Sequence, residues 1–220
     1  MGLNVSKVNM YDWVTHTWNA IKGACYHDCS YCYMKRWGAL DQVRLDESEL
    51  KTDLGNGNFI FVGSSCDMFA KDIPYEWIIK VMEHLNKFDN TYLFQSKNPK
   101  EFDSVAIYDI EKFHLCTTIE TNRVYPDIMR NSPEPVDRAI ALGRIPIEEK
   151  YITIEPIMDF DLSSLLSMIH FCTPQQVNIG ADSGGNKLPE PPKGKILELI
   201  EALEEFTTVK QKSNLKRLLK

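Results

Sequence analysis

The chain has 220 residues, of which 43% are hydrophobic and 25% are charged, as is typical of a globular domain with a substantial core. Its 25 Lys and Arg residues and 31 Asp and Glu residues give a formal net charge of −6, which argues against a protein that coats nucleic acid by electrostatics alone. The sequence contains no apolar run long enough for a bilayer and no recognisable signal peptide. We therefore expect a single domain over residues 1–220, a cytoplasmic location and no membrane partner.

Apolar segments with strand and helix spacing alternate along the chain. In chain order we predict a strand at 18–23, a strand at 59–62, a helix that begins after Pro74, strands at 91–94 and 113–118, a helix at 135–142 that ends at Gly143, a strand at 151–154, a helix at 162–170, a strand at 177–179, a helix at 196–206, a strand at 207–209, and a solvated basic tail at 210–220.

This alternation implies parallel βα units in an α/β fold. There are about six such units, fewer than the eight of a complete barrel, so we predict an open, partial (β/α)6 barrel of the TIM type. A doubly wound sheet has the same local pattern and is the alternative. In both architectures the active site lies on the loops that follow the carboxyl ends of the strands.

Three of the six cysteines, Cys25, Cys29 and Cys32, lie in one short segment that follows the first predicted strand. We call residues 24–33 the cluster loop. In a reducing compartment, clustered cysteines indicate a metal site more often than a disulfide. Three thiolates are one ligand short of the four that an iron–sulfur cluster or a structural zinc site usually takes, and an open metal position can bind a reacting molecule. His27 is a weaker candidate ligand.

The remaining cysteines are scattered along the chain. Cys116 and Cys172 have apolar neighbours and are expected to be small buried residues. Cys66 lies in a loop that follows the strand at 59–62, so it is a candidate for a catalytic role.

The Cys-x3-Cys-x2-Cys spacing, with Tyr31 before the last cysteine, resembles the signature of the radical SAM superfamily. The wider pattern resembles a compact branch of that superfamily that is common in phages and bacteria and mostly of unassigned function. The residues that carry this wider resemblance are 17–19, 32–33, 61–69, 95–99, 119–122, 154–156 and 180–184.

The resemblance implies a 4Fe–4S cluster held by Cys25, Cys29 and Cys32, with the fourth iron left to the amino and carboxylate groups of S-adenosyl-L-methionine (SAM). A reductant of the flavodoxin or ferredoxin type would supply the electron that cleaves SAM to a 5′-deoxyadenosyl radical, and that radical would abstract hydrogen from a substrate. The protein's part is binding, orientation and the exclusion of competing reactions.

The resemblance also suggests roles for polar residues at the strand ends. Tyr31 would pack against the adenine, and the loop after the second strand would meet the methionine ammonium, although it lacks the family's usual glutamate. The loop residues concerned are Gly63, Ser64, Ser65 and Asp67. Thr118 and Glu120 would bond the ribose, and Glu155 would hold the cofactor. Lys97 and Asp182 would meet the cofactor carboxylate or the substrate and, with Cys66, are the candidate catalytic residues. Alternatively, Glu120 and Glu155 are ion-pair partners of Arg123 or Lys97.

The resemblance to a phage-rich branch, and a loose likeness of the cysteine region to enzymes acting on thymine photoproducts, favour a nucleotide or DNA base as substrate. A base within a duplex would have to be flipped out. One specific hypothesis is the isomerisation of an amino-acid-modified thymine in a phage DNA-modification pathway, in the host cytoplasm. The alternative function is a structural or electron-transfer protein that binds zinc or an iron–sulfur centre without radical chemistry.

Overall fold

The computed structural model describes residues 2–6, 11–104 and 106–220, which form a mixed α/β domain. The strands are β1 (Asn4–Val5), β2 (His16–Trp18), β3 (Ile21–Lys22), β4 (Arg44–Leu45), β5 (Phe59–Val62), β6 (Thr91–Ser96), β7 (Phe113–Thr118), β8 (Lys150–Ile154), β9 (Gln176–Ile179) and β10 (Thr208–Gln211). The α-helices are α1 (Tyr75–Leu85), α2 (Pro126–Met129), α3 (Pro135–Arg144), α4 (Leu162–Cys172) and α5 (Lys193–Glu204), and the 3₁₀ helices are Tyr33–Trp37, Glu49–Lys51, Pro99–Ser104, Ala106–Asp109 and Ser213–Arg217.

Eight strands form one sheet in the order β1-β2-β5-β6-β7-β8-β9-β10. Only the β1–β2 pair in this sheet is antiparallel; every other pair is parallel. The strands follow one another across the sheet in chain order, without the reversal that defines a doubly wound fold, so that alternative is wrong. The result is an open, mainly parallel sheet, and its curvature into a partial barrel stays a prediction.

The apolar strands and helix faces explain why the sheet forms. The Phe-Ile-Phe-Val sequence of β5 is almost entirely buried, as expected of a parallel strand that is covered on both faces. Helix α5 buries Ile196, Leu199, Ile200 and Leu203, which recur at helical spacing and pack on the main core cluster.

The predicted strand at 59–62 and the one at 113–118 are confirmed to the residue. The prediction of a strand at 18–23 is wrong in its extent, because the sheet strand β2 ends at Trp18. Residues Ile21 and Lys22 instead pair with β4 in a separate two-stranded ribbon. The ribbon leads into Gly23, whose φ is +115° and where a Cβ would lie 2.6 Å from the carbonyl oxygen of Gln42. The chain therefore turns sharply into the cluster loop.

Two further boundaries differ from the prediction. Helix α3 continues through Gly143 to Arg144, because this glycine serves close packing between helices: a Cβ there would lie 2.4 Å from the ring of Phe171 in α4. The predicted solvated tail at 210–220 has exposed basic side chains at Lys210, Lys216, Arg217 and Lys220, but its backbone packs on the domain. Strand β10 pairs with β9, and Leu215 in the following 3₁₀ helix is fully buried.

Among the described residues, none of the helices combines the length and the apolar character that a membrane span requires.

Candidate active site

A cavity of about 930 Å³ opens at the carboxyl ends of the parallel strands. The cluster loop forms one wall, and the ends of β5, β6, β7, β8 and β9 with the loops after them form much of the rest. Other lining residues are those at 4–6 and 34–40, Tyr11, Thr17 and Lys212. Of the predicted site residues, those that line it are Cys25, Cys29, Cys32, Tyr31, Gly63, Ser64, Ser65, Cys66, Asp67, Lys97, Thr118, Glu155 and Asp182. Glu120 is the exception.

The cluster loop is held in place by residues that follow it by about a hundred positions in the sequence. Ser30 N donates to the carbonyl of Ile128 at 2.9 Å, and Asn131 N donates to the carbonyl of His27 at 3.2 Å. The side chain of Asn131 adds a bond to the carbonyl of Tyr26 at 2.9 Å. Helix α2 and the turn after it, which the sequence analysis missed, therefore form the support of the loop.

The three cysteines of the loop are free thiols; Cys29 is buried, while Cys25 and Cys32 are partly exposed. The hydrogen bond that Cys25 shares with Cys66 lowers the pKa of Cys25 to about 7. The same bond, together with burial, raises the pKa of Cys66. The lowered pKa of Cys25 favours its thiolate, the form that binds metal.

The arrangement of these thiols bears on which metal centre they fit. Within the described part of the chain, no three His, Cys, Asp or Glu side chains converge as ligands of a single ion. A mononuclear zinc site needs such convergence, with sulfur about 2.3 Å from the metal. An iron–sulfur cluster binds each thiolate at a different iron, so its ligands surround a space. Three free cysteines on the cavity wall are the type of donor that an iron–sulfur cluster takes.

Asp67 lies at the junction between the cluster loop and strand β6. Its Oδ2 accepts hydrogen bonds from His27 Nε2 at 2.8 Å, Ser96 Oγ at 2.9 Å and Lys97 N at 2.9 Å. Burial alone would raise the pKa of Asp67, but the bond and charge of His27 lower it. Asp67 therefore connects the cluster loop to β6, and its contact with the cofactor ammonium stays a prediction. His27 binds Asp67 through Nε2, so that atom is not available as a metal ligand.

A buried charge cluster lies beneath the cavity, around Glu120. Its side chain is fully buried; Oε1 accepts from the Tyr31 hydroxyl and from Lys97 Nζ, the latter at 3.1 Å, and Oε2 accepts from Arg138 Nη1 at 2.7 Å. Burial would raise the pKa of Glu120, yet Arg138 and Lys97 hold it down at about 2. The structure thus places this carboxylate behind the cavity wall, and the ribose contact of Glu120 stays a prediction.

The ion-pair alternative holds for Glu120 with Lys97, whereas Arg123 pairs with Asp159 and Asp161. Lys97 Nζ also lies 5.2 Å from the centre of the Tyr31 ring. Both side chains line the cavity, so Glu120 fixes their positions from behind. Arg138 was missed because it lies in a helix whose sequence gives no sign of a buried charge.

The loop after β5 folds tightly around Asn19. Asn19 Oδ1 accepts from Ser65 N at 2.8 Å and from Ser64 Oγ at 3.2 Å. Gly63 begins the loop with a φ of +77°, and a Cβ there would lie 3.2 Å from the carbonyl oxygen of Cys66. The residues predicted to meet the methionine ammonium are therefore present on the cavity wall in a fixed backbone conformation.

Asp182, a candidate catalytic residue, uses its carboxylate within its own loop. Oδ1 accepts from Gly184 N at 2.9 Å and from the side chain of Asn186, and Oδ2 accepts from Asn186 N at 2.5 Å. These bonds close the turn at 182–186. The structure thus shows a role for Asp182 in closing this turn, and its contact with cofactor or substrate stays a prediction.

The far side of the cavity contains polar residues, Tyr11, Gln95 and Lys212, that were not among the predicted site residues. The Tyr11 hydroxyl donates to Gln95 Oε1 at 2.8 Å, and Gln95 Nε2 donates to Thr118 Oγ1 at 3.2 Å. Lys212, from the supposed tail, donates to Glu155 Oε2 at 2.5 Å. Glu155 therefore pairs with Lys212 rather than with Arg123 or Lys97.

Comparison with solved structures shows where this fold occurs. Spore photoproduct lyase complexed with dinucleoside spore photoproduct superposes with a TM-score of 0.64 at 9% identity, over 94% of this chain and 79% of that chain. A double mutant of spore photoproduct lyase with bound AdoMet and dinucleoside spore photoproduct gives the same TM-score and identity, over 93% and 78% of the two chains. Methylornithine synthase (PylB) matches with a TM-score of 0.53 at 13% identity, over 88% and 63%.

Sequence comparison gives a family but no activity. No curated protein matches the sequence. A family described as protein of unknown function, DUF5131, matches residues 9–193, which include the cluster loop and most of the cavity wall. The chain belongs to the DUF5131 family.

Proposed function

We propose that this protein is a radical SAM enzyme. The observation that carries the proposal is that Cys25, Cys29 and Cys32 line the same cavity as the polar residues at the strand ends. The fold supports it, because spore photoproduct lyase and methylornithine synthase are radical SAM enzymes and one of the matching structures contains bound AdoMet.

In this proposal the three cysteines hold a 4Fe–4S cluster. When bound, the cluster and SAM together supply the electron transfer and the 5′-deoxyadenosyl radical that begin the reaction on the substrate. The chain's own residues bind and orient: the loop at Gly63, Ser64 and Ser65 receives the methionine ammonium, and Lys97 offers its ammonium to the carboxylate.

The remaining residues position the nucleoside half of the cofactor. Tyr31 presents its ring to the adenine, since an aromatic face gives a large contact area with few rotatable bonds. Glu120 acts through Tyr31 and Lys97, whose positions it fixes by hydrogen bonds. Thr118, held by Gln95, offers its hydroxyl to the ribose. Cys66 shares a hydrogen bond with Cys25, so it is the candidate catalytic side chain that contacts a cluster ligand.

The proposed substrate is a nucleotide or a DNA base that carries a modification, and the specific hypothesis is the isomerisation of an amino-acid-modified thymine. The dinucleoside bound by spore photoproduct lyase supports this substrate class. A cavity of about 930 Å³ lies near the upper end of the ~300–1,000 Å³ range of ligand sites, which suits a cofactor and a substrate side by side. A reductant of the flavodoxin or ferredoxin type completes the proposal.

The test is anaerobic reconstitution with iron and sulfide, followed by reduction in the presence of SAM. We expect about four irons per chain and 5′-deoxyadenosine detected by mass spectrometry. Cys32→Ala should lose both, while Cys172→Ala, a buried cysteine outside the cavity, should keep both. Tightly bound zinc without iron would establish the zinc alternative. A cluster that cycles electrons without binding SAM would establish an electron-transfer protein.

A further inference from the structure

One ion pair on the cavity wall has no role in the cofactor site proposed above. Lys212 Nζ and Glu155 Oε2 lie 2.5 Å apart, and the two side chains are 11% and 21% exposed. Both line the cavity. Glu155 follows β8 and Lys212 follows β10, so the pair lies at the end of the sheet that is farther from β2 and the cluster loop.

The pair is held rigidly by its surroundings. Asn214 Nδ2 donates to Glu155 Oε1 at 2.9 Å and to the carbonyl of Ala181 at 2.8 Å. Gly180 lets the carboxylate lie against the backbone, since a Cβ there would be 2.7 Å from Glu155 Oε1. Lys212 Nζ lies 4.7 Å from the centre of the Tyr11 ring. Side chains fixed in this way before a ligand arrives lose little entropy on binding.

The chemistry of the pair selects a type of ligand. An ammonium has three N–H donors, and in the described part of the chain only Glu155 accepts one from Lys212. A purely anionic ligand group at Lys212 would lie beside the Glu155 carboxylate, and a purely cationic one at Glu155 would lie beside the lysine. Like charges at such short range oppose binding. A group with adjacent positive and negative charges satisfies both residues at once.

We propose that Lys212 and Glu155 bind the zwitterionic amino-acid group of the substrate, with the ligand carboxylate at Lys212 and its ammonium at Glu155. This inference rests on the proposed function and narrows its substrate class to compounds that carry an amino acid. It also assigns Glu155 to the substrate rather than to the cofactor.

SAM itself carries an amino-acid group, but its place is elsewhere in the cavity. That group must reach the cluster, and therefore the cluster loop and the loop after β5. Strand β8 is three positions from β5 in the sheet, which corresponds to about 14 Å along the sheet at ~4.8 Å per strand. One amino-acid group does not occupy both places, so the pair is left to a second ligand.

The test uses four thymidine probes with the reconstituted, SAM-loaded protein. The first carries glycine joined through its nitrogen to the methyl carbon of the base, and is zwitterionic. The second carries methylamine at the same carbon and adds only a positive charge. The third has a propionate in place of the methyl group and adds only a negative charge. The fourth is unmodified thymidine. Isothermal titration calorimetry should show that the zwitterionic probe binds at least about tenfold more tightly than each of the others.

The variant Lys212→Met removes the ammonium and retains an apolar stem of similar length. It should abolish the preference for the zwitterionic probe while leaving SAM affinity and iron content unchanged. The matched control is Lys195→Met, because Lys195 also pairs with a carboxylate, Asp159, at 2.5 Å and lies 4.9 Å from an aromatic ring centre, that of Phe160. Lys195 is outside the cavity lining, so this control should keep the preference.

The two proposals fail in distinguishable ways. Equal binding of all four probes by a protein that cleaves SAM would overturn this inference alone. Loss of SAM affinity in Lys212→Met, with probe affinities unchanged, would also overturn it, because the pair would then belong to the cofactor site. Absence of iron or of SAM binding in the unmodified protein would instead refute the proposed function.

Discussion

His27 in the cluster loop donates a hydrogen bond from Nε2 to Asp67 Oδ2 at 2.8 Å, across forty residues of sequence. Burial lowers the pKa of a histidine, yet the bond to Asp67 raises that of His27. Since Asp67 also accepts from Lys97 N at the end of β6, this one contact ties the cysteine loop to the sheet. The position of the three cysteines thus depends on the hydrogen bond between His27 and Asp67.

Replacing Asp67 by Asn should loosen the cluster loop. The neutral amide keeps an oxygen acceptor but loses the charge that strengthens the bond from His27, and we expect a cost of about 2–3 kcal/mol in the free energy of unfolding. Hydrogen exchange of residues 26–32 in the iron-free protein should accelerate. The control is Asp161→Asn, an exposed carboxylate paired with Arg123 away from the loop; equal acceleration in both variants would contradict the role of Asp67.

Glu120 should make the stability of the protein depend on acid pH. Its pKa is depressed from 4.5 to about 2 in the folded state, so the folded form binds the proton more weakly than the unfolded form does. The resulting stabilisation is present above pH 4.5 and is lost as the pH falls from 4.5 towards 2. Urea unfolding across this range measures it.

In Glu120→Gln this part of the acid dependence should disappear. The variant should also lose about 3–5 kcal/mol of unfolding free energy at neutral pH, because Arg138 and Lys97 are left without their counter-charge. Glu201→Gln, at an exposed position of α5, should retain the wild-type profile. An unchanged acid limb in Glu120→Gln would show that other carboxylates cause it.

The sequence predicted the parts of the fold that local pattern determines. Strand β5 is an apolar run that ends before Gly63, and the predicted bounds of β5 and β7 agree with the structure. The boundaries that differ depend on tertiary contact: Gly143 is a helix terminator by local rules, but its position against Phe171 lets α3 continue past it. No local pattern distinguishes these two roles of a glycine.

The candidate site likewise has features that the local sequence determines and features that depend on tertiary contact. The cysteines and the strand-end residues could be found because spacing and position in a βα unit carry information. The partners that decide what those residues do are distant in sequence and ordinary in type. Arg138 in α3 pairs with the Glu120 carboxylate, which lies behind the cavity wall. Lys212 after β10 pairs with the Glu155 carboxylate. Only the packed structure brings such pairs together.

Tyr31 offers a way to separate ring contact from hydrogen bonding in the proposed cofactor site. Tyr31→Phe keeps the ring and loses the bond to Glu120, whereas Tyr31→Ala loses both. We expect the affinity for SAM, measured by equilibrium dialysis, to fall only a few-fold in the Phe variant and about tenfold or more in the Ala variant, because stacking contributes about 1–3 kcal/mol per base. Equal losses would assign the effect to the hydroxyl.

Gly63 should be the least replaceable glycine in the cavity wall. Its φ of +77° is unfavourable for a residue with a Cβ, and that atom would press on the carbonyl of Cys66 at 3.2 Å. We expect Gly63→Ala to destabilise the protein by about 1–2 kcal/mol, measured by urea unfolding, and to disturb the bonds that Ser64 and Ser65 make to Asn19. SAM binding should weaken together with stability.

The matched substitution is Gly194→Ala in α5, where a Cβ would meet nothing within 4 Å. Alanine there reduces the conformational freedom of the unfolded chain, so stability should rise by about 0.4–1 kcal/mol, with SAM affinity unchanged. If Gly63→Ala were as stable as Gly194→Ala, the loop after β5 would be able to adopt an ordinary backbone conformation. In that case the loop at Gly63, Ser64 and Ser65 would not provide a preformed binding site for the methionine ammonium.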